Sequence, residues 1–365
     1  MRSREVFRRA SAPPVARPLA AAVAMLGLLL LGVAASLLVG DVPIDATAVL
    51  TAFTHHDSQL AQHVIVRDWR LPRAVADVLV GAALAVAGAI MQAVTRNPLA
   101  SPGIMGLTTG ASFATVLAMV MLPAAGRPEL MLVSVAGAGL GATMVYGLAS
   151  LSHRGLTPVR LALTGMAVSA LLGAIGNGVM IYNELGQDLL LWHARGTEGV
   201  QWLDVGLFLP VAGVGLLGAV AIAPTLSILT LGDHVARGLG QRTRWAKCLA
   251  AAIVLVLVGG AVSLAGPVGF IGLMVPHIVR YLVGLDHRLV IPGSALCGSL
   301  LMLVADVTAR LATTPFKASV PVGVVTALLG VPFFLYLACR RPTTARPHPE
   351  PVSQRARGEA IGVRL

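Results

Sequence analysis

Ten runs of mostly uncharged residues constrain this sequence more than any other feature. They lie approximately at residues 18–40, 70–94, 104–122, 130–150, 159–182, 203–226, 246–266, 268–284, 290–310 and 321–339. About 20 apolar residues suffice for a helix to cross a bilayer. Because lipid offers no partners to backbone amides and carbonyls, each spanning run has to be helical. We therefore predict an all-α polytopic membrane protein with about ten transmembrane helices.

The composition excludes a soluble enzyme. Only 12% of the residues are charged and 56% are hydrophobic, whereas soluble proteins carry about 25% charge. The net charge of +11 comes from basic residues between the runs and at both ends, as membrane loops require. Aromatic residues make up 4%, too few for a surface that stacks bases, so no nucleic-acid partner is predicted.

Basic residues also predict the orientation of the chain. If the N-terminus is cytoplasmic, 20 of the 27 Lys and Arg fall on the cytoplasmic side, which is a strong positive-inside bias. The prediction is a multi-pass protein of the cell membrane with both termini in the cytoplasm. Residues 1–17 form a basic tail, 18–339 the transmembrane domain and 340–365 a disordered basic tail. The first run exceeds the apolar core of a signal peptide, so it is interpreted as a retained helix.

Small residues suggest how the helices pack and how the chain is organised. Several recur at the spacing that lets helix backbones approach closely: Gly81/Ala85/Gly88, Gly106/Gly110, Gly137/Gly141 and Gly173/Gly176/Gly178. The stretches 80–88 and 258–266 share V-G-x-A-x-x-x-A-G and run in opposite directions. This weak echo suggests an inverted repeat of helices 2–5 and 7–10, as in many transporters. Chance agreement of two short stretches is the alternative.

No pattern for catalysis or metal binding is found in the sequence. It lacks G-x-x-x-x-G-K-[ST] and H-E-x-x-H, so we predict no ATPase site and no metal site in this chain. Two carboxylates lie well inside spans, Asp77 four residues after Arg73 and Asp306 four before Arg310. Local ion pairs near the outer surface are the first interpretation, and a proton relay is the alternative.

Three further segments are candidates for function. Arg70 and Arg73 flank a proline at the outer start of the second span, as an interfacial anchor or as cations for an acidic partner. Asn97 and Pro98 belong to an interrupted stretch that lines a cavity or forms a cytoplasmic turn. Leu231–Gly240 predicts a short amphipathic helix on the cytoplasmic side, for a lipid surface or for docking a protein.

These segments resemble the permease family of ABC importers for ferric siderophores, haem and vitamin B12. The matching stretches are Arg70–Arg73, Val80–Gly110, Leu231–Gly240, Gly266–Arg280, Asp286–Arg288 and Pro321–Phe334. The resemblance covers nearly the whole chain apart from its tails. It implies ten helices per subunit, two permease subunits (copies or paralogues), two cytoplasmic ATPase subunits that bind ATP and Mg²⁺, and an extracytoplasmic binding protein.

The resemblance also implies site residues. It assigns binding-protein docking to Arg70, Arg73 and Arg310. Coupling to the ATPase is assigned to Leu231, Gly232, Asp233, Val235, Ala236, Leu239 and Gly240. The inner gate falls at Thr157 and Pro158, where the proline departs from the family pattern. Because a pathway should be apolar and weakly binding, Met91, Met105, Met166 and Met180 are candidate linings, with Asn97 and Pro98.

The predicted function is therefore the permease subunit of an ATP-driven importer for a ferric siderophore or a similar metal chelate. The chain itself carries out no covalent chemistry and holds no cofactor. An ion- or proton-coupled secondary transporter is the alternative, and it is disfavoured because no cluster of carboxylates lies in the middle of a span.

Overall fold

The computed structural model describes residues 16–40, 42–151, 158–183, 196–316 and 320–339, and every regular element in these ranges is a helix. The elements are α1 (Ala16–Leu38), α2 (Ala46–Thr54), α3 (Ala61–Val64), a π-helical turn (Ile65–Arg70), α4 (Leu71–Thr95), α5 (Leu107–Met121), α6 (Arg127–Ser150), α7 (Pro158–Tyr182), α8 (Trp202–Leu229), α9 (Asp233–Gly238), α10 (Thr243–Ala265), α11 (Ile271–Val283), α12 (His287–Phe316) and α13 (Val322–Cys339). The two predicted tails lie outside these ranges, except for residues 16 and 17.

The predicted set of ten apolar helices is confirmed. Seven described helices are long and apolar enough to cross a bilayer, and three shorter apolar helices, α5, α11 and α13, complete the ten. Each predicted run coincides with one helix, although α12 extends several residues beyond its run at both ends. The additional short helices α2 and α3 lie between α1 and α4. The chain is thus a multi-pass membrane protein.

Helix α4 lies at the centre of the bundle. It packs against α8, α10, α11 and α12, and most of its residues from Val80 to Ala93 are buried. A run of alanines and glycines makes this possible, because small side chains allow four helices to surround one.

Glycines mark the closest helix crossings. A Cβ atom on Gly88 of α4 would lie 1.9 Å from the carbonyl oxygen of Gly272 on α11, and one on Gly81 would lie 2.3 Å from that of Gly298 on α12. Gly110 of α5 meets α6 equally closely. The predicted close packing is therefore confirmed for α4, α5 and α6.

The glycines of α7 differ from the others. A Cβ on Gly173 or Gly178 would meet no atom within 4 Å, so these two do not mark a helix crossing within this chain. The reason is that α7 packs mainly against α5 and α6 and leaves much of its surface exposed.

The helix contacts agree with an inverted repeat. α4 packs on α11 and α12, and the corresponding helix α10 packs on α5 and α6. Likewise α5 contacts α6 and α7, as α11 contacts α12 and α13. One half of the repeat is α4 to α7 and the other is α10 to α13. The first helix of each half, α4 or α10, thus packs against helices of the other half, which is the arrangement expected when two related halves interlock.

Two ends of the bundle carry the polar residues that matter below. We call the end where α1 and α12 finish and α4 begins the arginine end. The opposite end, where α8 is joined to α10 through α9, is the α9 end.

Candidate functional site

Buried ion pairs organise the arginine end. Asp306 of α12 is fully buried, and its Oδ1 accepts hydrogen bonds from Arg73 Nε at 3.0 Å and Nη2 at 2.6 Å. Its Oδ2 lies 2.7 Å from Arg310 Nη2. Arg310 also donates to the carbonyls of Ser36 and Val39 at the end of α1. The cluster therefore joins α1, α4 and α12.

Arg70 binds the end of α1 in a similar way. Its guanidinium donates to the carbonyl oxygens of Leu37 at 2.7 Å, Leu38 at 2.9 Å, and Val42. The oxygens of Leu37 and Leu38 lie at a helix C-terminus, where carbonyls lack partners within the helix and a cation is favourable, and that of Val42 lies in the segment after α1. A Cβ on Gly40 would lie 2.6 Å from Arg70 Nη2, so glycine at this position provides the space for the guanidinium.

The structure confirms one expectation about these arginines and corrects another. Arg70, Arg73 and Arg310 are largely buried and donate to partners within the chain, and their docking role stays a prediction. The predicted pair of Asp306 with Arg310 is confirmed. The predicted local pair of Arg73 with Asp77 is wrong, because Arg73 reaches across to α12 for its carboxylate, and Oδ1 of Asp77 accepts a hydrogen bond from Thr197 at 2.6 Å.

No pattern in the sequence pointed to a role for Thr197. This buried residue lies in the turn before α8, and its bond to Asp77 fixes that turn on α4. Nearby, Arg127 at the start of α6 pairs with Asp204 at the start of α8. Among the described cations of the arginine end, Arg67 is exposed.

Helix α9 is bounded by two glycines that the backbone requires. Gly232 has φ +110° and Gly240 has φ +80°, and residues other than glycine rarely adopt such backbone angles. The sharp turns at both glycines set six residues apart as a helix of their own. Ala236 is the buried residue of this helix, and it packs into the main core with α8 and α10.

The other side of α9 presents three apolar side chains to the surroundings. Leu231, Val235 and Leu239 are 62%, 49% and 62% exposed. Leu231 precedes the helix and Leu239 follows it, so the stripe is longer than α9 itself. We call these three residues the α9 stripe. Such an exposed apolar set next to charged residues is typical of a surface that is covered by a partner.

An ion pair fixes the start of α9. Lys247 Nζ donates to Asp233 Oδ2 at 2.6 Å. This hydrogen bond is the main reason why the pKa of Asp233 is lowered below its usual range, and the charges of Arg96 and Arg237 act in the same direction. Arg237 in turn donates from Nε to the carbonyl of Asp233 at 3.2 Å.

The candidate pathway residues do not share one surface within this chain. Met105 and Met180 are buried, the latter beside Val116, and Met166 is 57% exposed on α7. Met91 lines an apolar groove of 660 Å³ between α4, α6 and α10. Their part in a transport pathway stays a prediction.

The gate residues lie near the α9 end or outside the described residues. Asn97 Oδ1 accepts the backbone N–H of Leu99 at 3.0 Å and so shapes the turn after α4, and Pro98 is exposed. Pro158 is the first residue of α7. Thr157 lies outside the described residues.

Among the described residues, no group of three His, Cys, Asp or Glu could hold a metal ion.

Comparison with known proteins identifies the family. The model of the FecCD transport family matches residues 28–340, which is nearly the whole chain. This chain belongs to the FecCD transport family.

Several characterised FecCD relatives are similar along most of their length. The chain is 48% identical over 318 residues to the iron(3+)-hydroxamate import system permease protein FhuB of Bacillus subtilis (strain 168), covering 87% of this chain and 82% of FhuB. It is 38% identical over 326 residues to the ferric enterobactin transport system permease protein FepD of Escherichia coli (strain K12), covering 88% and 96%. It is 42% identical over 284 residues to the hemin transport system permease protein HmuU of Yersinia pestis, covering 74% and 82%.

A solved structure supports the FecCD fold. An inward-facing conformation of a putative metal-chelate type ABC transporter matches with a TM-score of 0.73 at 26% identity, covering 87% of this chain and 98% of that one. The predicted resemblance to permeases of ABC importers is therefore confirmed.

Proposed function

We propose that this chain is the permease subunit of an ATP-driven importer that carries a ferric siderophore, or a haem- or cobalamin-like metal chelate, into the cytoplasm. Family membership carries the proposal, because relatives named for hydroxamate, enterobactin and haem import match along most of the chain. The cargo is expected to arrive on an extracytoplasmic binding protein.

The α9 stripe supports an external energy source. Three exposed apolar side chains on α9 and directly before and after it suit insertion into a groove of another protein. We propose that two cytoplasmic ATPase subunits, which bind ATP and Mg²⁺, contact Leu231, Val235 and Leu239 in two permease copies. A second copy or paralogue of the chain completes the pathway.

The proposed orientation follows from the basic residues. Arg96, Arg237 and Lys247 all lie at the α9 end, which the positive-inside rule places in the cytoplasm. Helices α1 and α12 finish at the arginine end, so α1 begins and α13 finishes at the α9 end. We therefore propose that both termini are cytoplasmic.

The arginine end is then the proposed docking face for the binding protein. The buried geometry of Arg70, Arg73 and Arg310 supports an indirect contribution to docking. By holding the ends of α1, α4 and α12 together, they would preserve the shape of the surface that the binding protein meets.

The decisive experiment is reconstitution of the purified chain in liposomes with its ATPase and its loaded binding protein. We expect uptake that requires ATP hydrolysis and persists with an uncoupler. Replacing Val235 and Leu239 by Asp should abolish copurification of the ATPase, whereas His234→Ala, on the same helix, should retain it. Uptake without any ATPase, or its collapse with an uncoupler, would instead establish a secondary transporter.

A further inference from the structure

A second structural connection at the α9 end involves residues that have no role in the account above. Ser227, near the end of α8, donates from Oγ to Asp286 Oδ1 at 3.2 Å, and its Oγ accepts the backbone N–H of His287 at 2.9 Å. These residues are 59 and 60 positions apart in the chain. The two bonds fix the end of α8 on the start of α12, and we call this contact the Ser227 clamp.

Asp286 is itself held in place. Its Oδ1 accepts the backbone N–H of Arg288 at 3.0 Å, and its carbonyl accepts the N–H groups of Leu289 and Val290. This is the arrangement of a helix N-cap, which satisfies amides that the first turn leaves without partners. The carboxylate that receives Ser227 is therefore part of the rigid start of α12.

The clamp lies immediately before the proposed contact with the ATPase. Asp233 lies six positions after Ser227 in the chain, and it is bound to Lys247 of α10. The segment that joins α8 to α10 and contains α9 is thus bound at two points. Its beginning, at the end of α8, is bound to α12, and the start of α9 is bound to α10. A displacement of α9 cannot be absorbed by a slack linker on either side.

A neighbouring contact extends the connection to the central helix. Arg280 of α11 donates from Nη2 to Gln92 Oε1 of α4 at 2.5 Å. Gln92 Nε2 donates to the carbonyls of Gly272 and Leu273 at 3.3 and 3.2 Å. Because α11 leads directly into Asp286, these bonds join α4 to the element that the clamp holds.

We propose that Ser227 and Asp286 are positioning residues that transmit movement of α9 to α11, α12 and α4. This inference rests on the proposed function, because it assumes that an ATPase moves α9. Without the clamp, the ATPase would still bind the α9 stripe, but the end of α8 would shift relative to α12. Part of the movement would then be lost before it reached the helices that surround α4.

The test compares cargo transported per ATP hydrolysed in the reconstituted complex. We expect Ser227→Ala to retain ATPase binding and to lower this ratio about fivefold, the factor expected for one lost hydrogen bond. Ser227→Thr keeps the hydroxyl and should restore the ratio. Thr230→Ala is the matched control, since the described hydrogen bond of the Thr230 hydroxyl goes to the backbone carbonyl of Ser227 and involves neither the Oγ of Ser227 nor Asp286. An unchanged ratio in Ser227→Ala would overturn the proposal.

A measurement without the ATPase separates this inference from the proposed function. In the full chain in nanodiscs, with the three cysteines replaced by serine, spin labels are placed at the exposed positions His234 and Arg288. We expect a narrow distance distribution that broadens in Ser227→Ala and not in Thr230→Ala. Identical widths would refute the clamp. Failure of the unaltered complex to couple uptake to ATP would refute the proposed function, while the spin-label result would still decide the clamp.

Discussion

Arg73 and Asp306, 233 residues apart in the chain, form a buried ion pair in which two guanidinium nitrogens share one carboxylate oxygen. Arg310 binds the other oxygen from the next helical turn. One carboxylate thus serves two arginines that belong to α4 and α12, and Arg310 extends the contact to α1. The arginine end is therefore held together by charge and hydrogen bonds in addition to apolar contacts between α1, α4 and α12, whereas the middle of the bundle is held by close packing of small residues.

Removing the shared carboxylate should destabilise the protein strongly. In Asp306→Asn, both Arg73 and Arg310 lose their charged partner while they remain largely buried. Breaking a buried pair in this way costs about 3–5 kcal/mol. We expect a marked fall in the thermal unfolding midpoint of the protein in detergent. Asp68→Asn, at an exposed position of the same end, should leave it unchanged, and equal midpoints for the two variants would contradict the role of Asp306.

Arg70→Ala should loosen the end of α1. The substitution leaves the carbonyls of Leu37, Leu38 and Val42 without their charged donor, and a hydrogen bond to a charged group contributes about 1.5–3 kcal/mol. Hydrogen exchange at the last turn of α1 should therefore become faster. Arg67→Ala, which removes an exposed arginine nearby, serves as the control. If both variants exchange like the unaltered protein, Arg70 does not hold α1.

The effect of a Gly→Ala substitution on stability should depend on whether the glycine lies at a close helix crossing. Gly88→Ala places a methyl group 1.9 Å from the carbonyl oxygen of Gly272, so α4 and α11 have to separate, at a cost of at least about 1–3 kcal/mol. Gly173→Ala meets nothing within 4 Å and should be neutral or slightly stabilising, because alanine favours the helix. Unfolding curves in mixed detergent will compare them, and a tolerated Gly88→Ala would show that this crossing is wrong.

The ion pair at the start of α9 should persist across the physiological pH range. The pKa of Asp233 is lowered from 3.8, chiefly by the hydrogen bond from Lys247. A carboxylate with a depressed pKa contributes stability that is complete above its unfolded value and is lost as pH falls through the lower, folded value. Carbon-13 carboxyl titration, assigned with Asp233→Asn, should place the Asp233 midpoint below 3.8, and Lys247→Met should raise it. A midpoint at or above 3.8 in the unaltered chain would exclude the pair in solution.

The set of apolar helices could be predicted from the sequence. The apolar runs correspond to ten helices, since length and hydropathy alone decide what crosses a bilayer. The glycines of α4, α5 and α6 were identified as packing residues from their spacing. Gly173 and Gly178 of α7 mark no crossing within this chain, because sequence cannot say whether a small-residue face meets another helix of the same chain.

The candidate sites were predictable only in part. The short helix at residues 233–238 follows from the helical spacing of Leu231, Val235 and Leu239, which are close together in the chain. The roles of Arg70, Arg73 and Arg310 depended on partners far away in sequence, and spacing suggested the nearest carboxylate to Arg73 instead of the one across the bundle.

The sequence by itself determined that the chain crosses a membrane as helices, and motif resemblance indicated its family. Both are properties of local runs and short segments, which need no knowledge of neighbours in space. Only the tertiary structure decided which polar side chains distant in sequence meet, as Arg73 does with Asp306 and Ser227 with Asp286. Those pairings depend on how α4, α8 and α12 cross, and crossing is set by contacts between residues that are distant along the chain.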